Sequence, residues 1–193
     1  MRRLGPAVAA AALMALAGAS FGAEQGAKRW SDPSVPFTCE IPADWELVPK
    51  EGLHLVLRSP GAGSAPGIHA DHYVDRKDGF GSWKDYVGYY TGRRRRTSRL
   101  VAKPSPVVVG GREASRFERI ESFMPEHPPR GADGGARPGR GGPIKVKNAT
   151  VVVPDEGGFW VLSYSAQVDD FKKHLPRFQR LLSSLRWNAP PAR

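Results

Sequence analysis

The sequence predicts an α+β domain in which helices pack on a mainly antiparallel sheet of about seven strands. Three observations carry this prediction. Stretches in which apolar and polar residues alternate recur along the chain and are typical of half-buried strands. Two other segments space their apolar residues at helical period. Short turn sequences between strands favour hairpins, and hairpins join antiparallel neighbours.

Three predicted strands come first. They are residues 35–42, residues 53–57 and residues 68–74. Because alternate residues of a strand point to opposite faces of a sheet, the third strand carries two sets of side chains. These sets are Ile68, Ala70, His72 and Val74 on one face, and His69, Asp71 and Tyr73 on the other.

Residues 82–91 predict a helix. Its apolar residues recur at i, i+3, i+4 and i+7, as one stripe of Trp83, Tyr86, Val87 and Tyr90. Ser82 and Asp85 resemble a capping box at its start, and Gly92 is a typical stop. Core packing is the expected role of the stripe, with stacking on a ligand as the alternative.

Four strands and a second helix follow. Two predicted hairpins join residues 106–109 to 112–124 around Gly110-Gly111, and residues 144–153 to 159–166 around the turn at 155–158. Proline interrupts helices. We therefore expect a short turn up to His174 and then a helix with Pro176 as its first residue. We expect Trp45 and Phe178 in the core.

The chain divides into a leader, one domain and short flanks. Residues 1–23 combine a basic start, a short apolar run and small residues, which is typical of a cleavable signal peptide. The other predicted parts are a linker at 24–34, a single domain at 35–187 and a tail at 188–193. Residues 125–142 are rich in glycine, proline and arginine, so we expect a flexible loop within the domain.

Charge and cysteine content limit the class of protein. The formal charge is +10, and cleavage after residue 23 would remove Arg2 and Arg3 and leave +8. The single cysteine, Cys39, cannot form an internal disulfide, so the fold depends on its core. Cys39 lies on the apolar side of its strand and is expected to be a small buried hydrophobic residue.

Both ends of the domain resemble the PsbP-like family. Residues 37–45, FTCEIPADW, resemble the opening strand of that family, which leads into a Pro-x-x-Trp turn. Residues 158–166, GFWVLSYSA, followed by Phe171 and by residues 178–185, FQRLLSSL, resemble its closing strand and helix. The resemblance spans about residues 35–187 and consists of core positions.

This resemblance implies a PsbP-like α/β/α sandwich. Members of the family act mainly by binding, and no shared catalytic residues exist to be carried over to this chain. The resemblance therefore implies a binding or accessory role rather than a particular chemistry.

Candidate catalytic and metal-binding residues are few. His69 and Asp71 share a strand face and are the best metal candidates, but a metal site needs three or four convergent ligands. Polar residues on a strand face are the favoured interpretation. Ser163 and Ser165 alternate within a strand, where we expect them to face outward or to hydrogen-bond locally. No cofactor motif is present, so we expect no cofactor.

A run of arginines is the sharpest electrostatic feature. It comprises Arg93, Arg94, Arg95 and Arg96, with Arg99 close behind. Such a cluster can bind phosphates, acidic glycans or anionic lipid headgroups. The alternative is a solvated helix end, since cations are favourable at a helix C-terminus.

These observations favour an exported, non-enzymatic binding or accessory module of the periplasm or the cell exterior. Its expected partner is a protein or an anionic envelope component. Export makes nucleic acid a poor partner, and no stretch after the leader is long and apolar enough to span a membrane. The alternatives are a periplasmic hydrolase around His69 and Asp71, and a carrier of small apolar ligands between sheet and helix.

Overall fold

The computed structural model describes residues 27–49, 54–60, 66–92, 97–124 and 143–188. Within these ranges it has ten strands and two helices: β1 (Lys28–Ser31), β2 (Phe37–Ile41), β3 (Glu46–Leu47), β4 (Leu55–Arg58), β5 (Gly67–Val74), α1 (Trp83–Gly92), β6 (Ser98–Val109), β7 (Arg112–Phe123), β8 (Ile144–Asp155), β9 (Gly158–Gln167), α2 (Val168–Ser184) and β10 (Arg186–Trp187). The predicted leader at 1–23 and the predicted loop at 125–142 lie outside the described residues.

Seven strands form the main sheet in the order β3-β4-β5-β9-β8-β7-β6, with antiparallel neighbours throughout. This confirms the predicted fold class. Both predicted hairpins are present. The β6–β7 turn consists of Gly110 and Gly111 with φ angles of 57° and 85°, which only glycine adopts without strain.

A second sheet has three strands in the order β1-β2-β10. The strand predicted at 35–42 belongs here, as β2, while the two-residue β3 completes the main sheet. Strand β1 lies within the segment predicted as a linker at 24–34. Its Trp30 pairs with Cys39 and is only 9% exposed. A four-residue strand with one buried side chain is too short for its alternation to be recognised.

Helix α2 is continuous, although Pro176 lies inside it. The predicted break before Pro176 is therefore wrong. Proline has no N–H to donate to the carbonyl of Lys172. Phe171 and Phe178, on either side of the proline, are both buried against the sheet. This packing outweighs the local cost of the missing hydrogen bond.

Strand β6 begins at Ser98 rather than at Pro106 as predicted. Pro104 and Pro106 break the pattern expected of a strand, but β6 is the outer strand of the main sheet. An outer strand tolerates proline because one side of it needs no ladder hydrogen bonds. The pairing with β7 shifts register on either side of Ala102.

The main sheet has a separate core on each face. Helix α2 and the second sheet cover one face, and their core includes Cys39, Trp45 and Phe178, which are 2%, 5% and 0% exposed. The predicted burial of these three residues is confirmed. Helix α1 packs on the other face through its predicted apolar stripe, whose Tyr86 and Val87 are buried. The result is an α/β/α arrangement.

The two faces of β5 also agree with the prediction. Ile68 and Ala70 lie in the core beneath α2, whereas Tyr73 packs against the core beneath α1. In the ranges that the model describes, no helix has the length and apolar character needed to cross a membrane.

Candidate functional site

A polar pocket of about 160 Å³ opens on the main sheet beside α1. We call it the α1 pocket. Three aromatic residues, Tyr86, Tyr90 and Phe117, form part of its lining. The remaining lining is polar: Arg119, Glu121, Asn148, Thr150, Ser163 and Ser165.

Strand register brings the polar residues together. Thr150 of β8 pairs with Ser163 of β9, and Asn148 pairs with Ser165. On the other side of β8, Asn148 pairs with Arg119 of β7. Paired residues of neighbouring strands point to the same face of a sheet, so these side chains form a contiguous patch next to α1.

Arg119 is the one cation among the residues that line this pocket, and its charge is paired. The side chain is 6% exposed, and its Nη2 lies 3.1 Å from Oε1 of Glu121. Its Nε also donates a hydrogen bond to Oγ of Ser98 over 3.1 Å. The guanidinium lies 5.0 Å from the centre of the Tyr90 ring, within cation–π range. The pocket is therefore polar without a strong net charge.

The neutral polar groups of the pocket differ in whether their side chains are already hydrogen-bonded. The Ser165 hydroxyl donates to Oδ1 of Asn148. The hydroxyls of Thr150 and Ser163 form no side-chain hydrogen bond with any other residue that the model describes. Burial strongly raises the pKa of the Tyr86 phenol, so this side chain stays protonated.

Sequence reasoning identified only part of this pocket. The aromatic stripe of α1 was expected to pack in the core, and it does so while also bordering the pocket. Ser165 hydrogen-bonds locally, as expected. Arg119, Glu121, Asn148 and Thr150 were missed. One signal was available. Arg119 lies two residues after Phe117 in the same strand, so its side chain points to the same buried face of the sheet.

His69 and Asp71 lie in β5 on the face predicted for them, which is the face that carries α1. Within the described ranges, no group of three or more histidine, cysteine, aspartate or glutamate side chains is arranged to hold a metal ion.

Of the five clustered arginines, only Arg99 lies among the described residues. Arg93, Arg94, Arg95 and Arg96 lie outside the described residues. Arg99 is exposed on the outer strand β6.

A second polar cluster lies at the far end of the opposite face. Asp155 accepts hydrogen bonds from Nη1 of Arg112 over 2.8 Å and from Nε1 of Trp160 over 3.2 Å. Burial opposes the charge of Asp155, but these bonds outweigh it and lower the pKa of the carboxyl. Nε2 of His72 lies 4.0 Å from the same carboxylate. The cluster joins β5, β7, β8 and β9 and has the character of a structural ion pair.

An apolar groove of about 470 Å³ lies beside the start of α1. Trp83 lines it together with Pro154 of β8 and residues of β6 that include Pro104, Pro106 and Val108. Val108 is 71% exposed, so the groove is open to solvent along β6.

Comparisons with known proteins bear on the fold. The sequence matches no family model and no curated protein. The solution structure of cyanobacterial PsbP (CyanoP) from Synechocystis sp. PCC 6803 is similar with a TM-score of 0.55 and 13% identity, over 89% of this chain and 98% of that chain. The crystal structure of LpqN, involved in cell envelope biogenesis of Mycobacterium tuberculosis, is similar with a TM-score of 0.52 and 17% identity, over 84% of this chain and 90% of that chain. This chain therefore has the PsbP-like fold that the two ends of its sequence predicted.

Proposed function

We propose that this chain is an exported, non-enzymatic binding module that recruits an anionic partner through residues 93–96 and Arg99. The observation that carries the proposal is the position of Arg99, which is exposed on the outer strand β6 three residues after the arginine run. An edge strand with exposed cations offers an accessible surface to a large anion.

Chain connectivity supports a concentration of positive charge at this end of the sheet. Residues 93–96 join the last residue of α1, Gly92, to Thr97, whose carbonyl accepts a hydrogen bond from Ser122 N–H over 2.8 Å. Lys145 pairs with Ser122 in the sheet and is exposed. The arginine run is thus joined to the chain at the end of the sheet that carries two exposed cations, Arg99 of β6 and Lys145 of β8.

The segment between β7 and β8 contributes further arginines. Residues 125–142 contain Arg130, Arg137 and Arg140 together with Glu126 and Asp133, which gives a formal charge of +1. Glu121, two residues before the end of β7, is paired with Arg119. Among the described residues at this end of the sheet, Arg99 and Lys145 are exposed cations that Glu121 does not neutralise, because Glu121 is paired with Arg119.

Two further points support the envelope as the site of action. The leader at residues 1–23 is typical of export. A structure with the same fold belongs to a protein involved in cell envelope biogenesis. We accordingly place the anionic partner, as part of the proposal, among the phosphate- or carboxylate-bearing components of the periplasm or the cell surface.

The test measures retention on immobilised heparin, as a soluble polyanion, against salt concentration. The test variant changes Arg93, Arg94, Arg95, Arg96 and Arg99 to Gln. The matched control also removes five exposed positive charges, but elsewhere on the domain: Lys28, Arg29, Lys77, Lys172 and Lys173 to Gln. Both variants have the same net charge, so only the position of the charge differs.

We expect the test variant to elute at much lower salt than the control, because clustered charges release more counterions on binding than scattered ones do. Unfolding free energies should change by no more than about 1 kcal/mol per site, as is usual for exposed charges. Equal elution of the two variants would contradict the proposal, since retention would then follow net charge alone.

A second candidate function is the carriage of a small apolar ligand, and the groove at Trp83 favours it. Its volume of about 470 Å³ lies within the range of small-molecule sites. The test titrates an environment-sensitive apolar dye into wild type and into Val108→Glu, with Val101→Glu on the same strand as the control. Dye binding lost only in Val108→Glu would support this function, and equal binding in all three proteins would remove it.

A further inference from the structure

We propose that the α1 pocket binds one neutral, polyhydroxylated ring, of the chemical class of a single monosaccharide unit. Among the described residues, Arg99 does not line this pocket, and the inference does not rest on the proposed anionic partner. It rests on the charge balance, the hydrogen-bonding groups, the aromatic surface and the size of the pocket.

The charge balance within the pocket lining favours a neutral ligand over an ionic one. An isolated buried arginine would attract an anion, but Glu121 lies 3.1 Å from the Arg119 guanidinium and would repel one. A cationic ligand would in turn be repelled by Arg119, which is almost fully buried. A pocket lined by a compensated pair favours a neutral ligand, which can still hydrogen-bond to both charged groups.

The neutral groups match a ligand rich in hydroxyls. Thr150 and Ser163 contribute hydroxyls that can each donate one hydrogen bond and accept two, and Asn148 contributes an amide that can do both. A sugar hydroxyl likewise donates and accepts. Such a ligand can replace water as the hydrogen-bond partner of these side chains, and its ring holds the hydroxyls in fixed directions.

Aromatic surface and size narrow the class further. The half-buried Tyr90 offers the main apolar surface against which the C–H face of a pyranose can pack, because Tyr86 and Phe117 are only 6% and 2% exposed. A volume of about 160 Å³ is below the usual range for drug-sized ligands. The pocket therefore accepts one ring, either as a free monosaccharide or as the terminal unit of a glycan that continues into solvent.

The experiment follows backbone amide chemical shifts while neutral sugars are added to the folded protein. The probes are glucose, galactose, mannose and N-acetylglucosamine, with glucuronate and glucosamine as charged relatives of the same ring. We expect at least one neutral sugar to shift the amides of Tyr90, Thr150 and Ser163 with an affinity on the order of 1 mM. Glucuronate and glucosamine should bind more weakly at these amides.

Variants test the assignment of the side chains. Thr150→Val combined with Ser163→Ala removes two hydroxyls with little change of volume, and we expect about a tenfold loss of affinity. Ser165→Ala is the second variant in case the double variant does not fold. Thr38→Val, in β2 and outside the pocket, is the isosteric control and should keep the wild-type affinity.

The sharpest test is a variant expected to prefer a charged sugar over a neutral one. Glu121→Gln keeps the size of the side chain and leaves the charge of Arg119 uncompensated. We expect this variant to prefer glucuronate over glucose, opposite to wild type. Methyl glycosides that bind as well as the free sugars would identify a glycan end as the ligand, and binding by free sugars alone would identify a monosaccharide.

Two results would overturn the inference. The first is the absence of shifts at the pocket amides with all four neutral sugars. The second is a preference of wild type for glucuronate or glucosamine over every neutral sugar, because that would mean that the Arg119–Glu121 pair does not neutralise the pocket.

Discussion

The Tyr164 hydroxyl donates a hydrogen bond over 3.1 Å to the backbone carbonyl of Phe171. Tyr164 lies in β9 and Phe171 in the first turns of α2, and both are buried. The bond ties the helix to the centre of the main sheet at the point where the chain turns from strand to helix. It also satisfies a phenol that would otherwise be buried without a partner.

We expect Tyr164→Phe to lower the free energy of unfolding by about 0.5–1.5 kcal/mol. The substitution removes one buried hydrogen bond and keeps the ring that packs on Phe178. Urea denaturation with a shared m-value measures the change. A loss of 3 kcal/mol or more would indicate roughly twice the effect of one bond and would contradict this account.

Phe178→Ala should cost about 3–5 kcal/mol, because it empties a fully buried site between α2 and the sheet. The same denaturation experiment measures it. Val108→Ala is the control, since Val108 is 71% exposed and its truncation should change stability by no more than about 0.5 kcal/mol. Equal effects of the two substitutions would place Phe178 outside the core.

The two glycines of the β6–β7 turn should respond differently to alanine. Both have positive φ, so both substitutions strain the backbone. A Cβ at Gly110 would also lie 2.8 Å from Cδ1 of Trp187, whereas a Cβ at Gly111 meets no atom within 4 Å among the described residues. We therefore expect Gly110→Ala to be less stable than Gly111→Ala by at least about 1 kcal/mol.

Thermal unfolding of both variants, with the indole N–H resonance of Trp187 followed by NMR, would check this difference. The Trp187 indole donates to the carbonyl of Val109 over 3.0 Å, so its displacement should be visible in Gly110→Ala alone. Identical melting curves for the two variants would show that Trp187 moves aside without cost.

Cys39 should destabilise the protein at alkaline pH. Burial raises the pKa of its thiol from 9.0 to about 12. Above pH 9 the unfolded chain loses this proton while the folded protein retains it, so the unfolded state gains stability. The contribution is fully present below pH 9 and is lost progressively as the pH approaches 12.

The measurement compares wild type with Cys39→Ala from pH 8 to pH 11. Wild type should lose stability faster, by at most about 1.4 kcal/mol per pH unit. Native Cys39 should also react with a thiol reagent only as fast as the protein opens, because it is 2% exposed. Parallel stability curves would show that the folded thiol ionises normally.

The elements that follow from local patterns were predictable. The hairpin around Gly110-Gly111 depends on a positive φ at two adjacent positions, which is a property of those residues alone. The stripe from Trp83 to Tyr90 defines the buried side of α1 because a helix repeats every 3.6 residues. Alternation likewise predicted that Cys39 is buried and which faces of β5 the side chains occupy.

Other features depend on partners far away in the chain, and no local pattern contains them. β1 is a strand because Trp30 is buried in a core made by distant elements. Pro176 stays inside α2 because the sheet beneath holds Phe171 and Phe178 on either side of it. In both cases tertiary packing supplies more free energy than the local preference opposes.

The α1 pocket shows the same division. The sequence determined by itself that β8 and β9 are strands and that α1 has an aromatic stripe. Only the tertiary structure placed Arg119 beside Asn148 and set α1 over this part of the sheet. A binding pocket depends on which side chains meet in space, and register between strands decides that, because a shift of one residue would turn these groups to the opposite face.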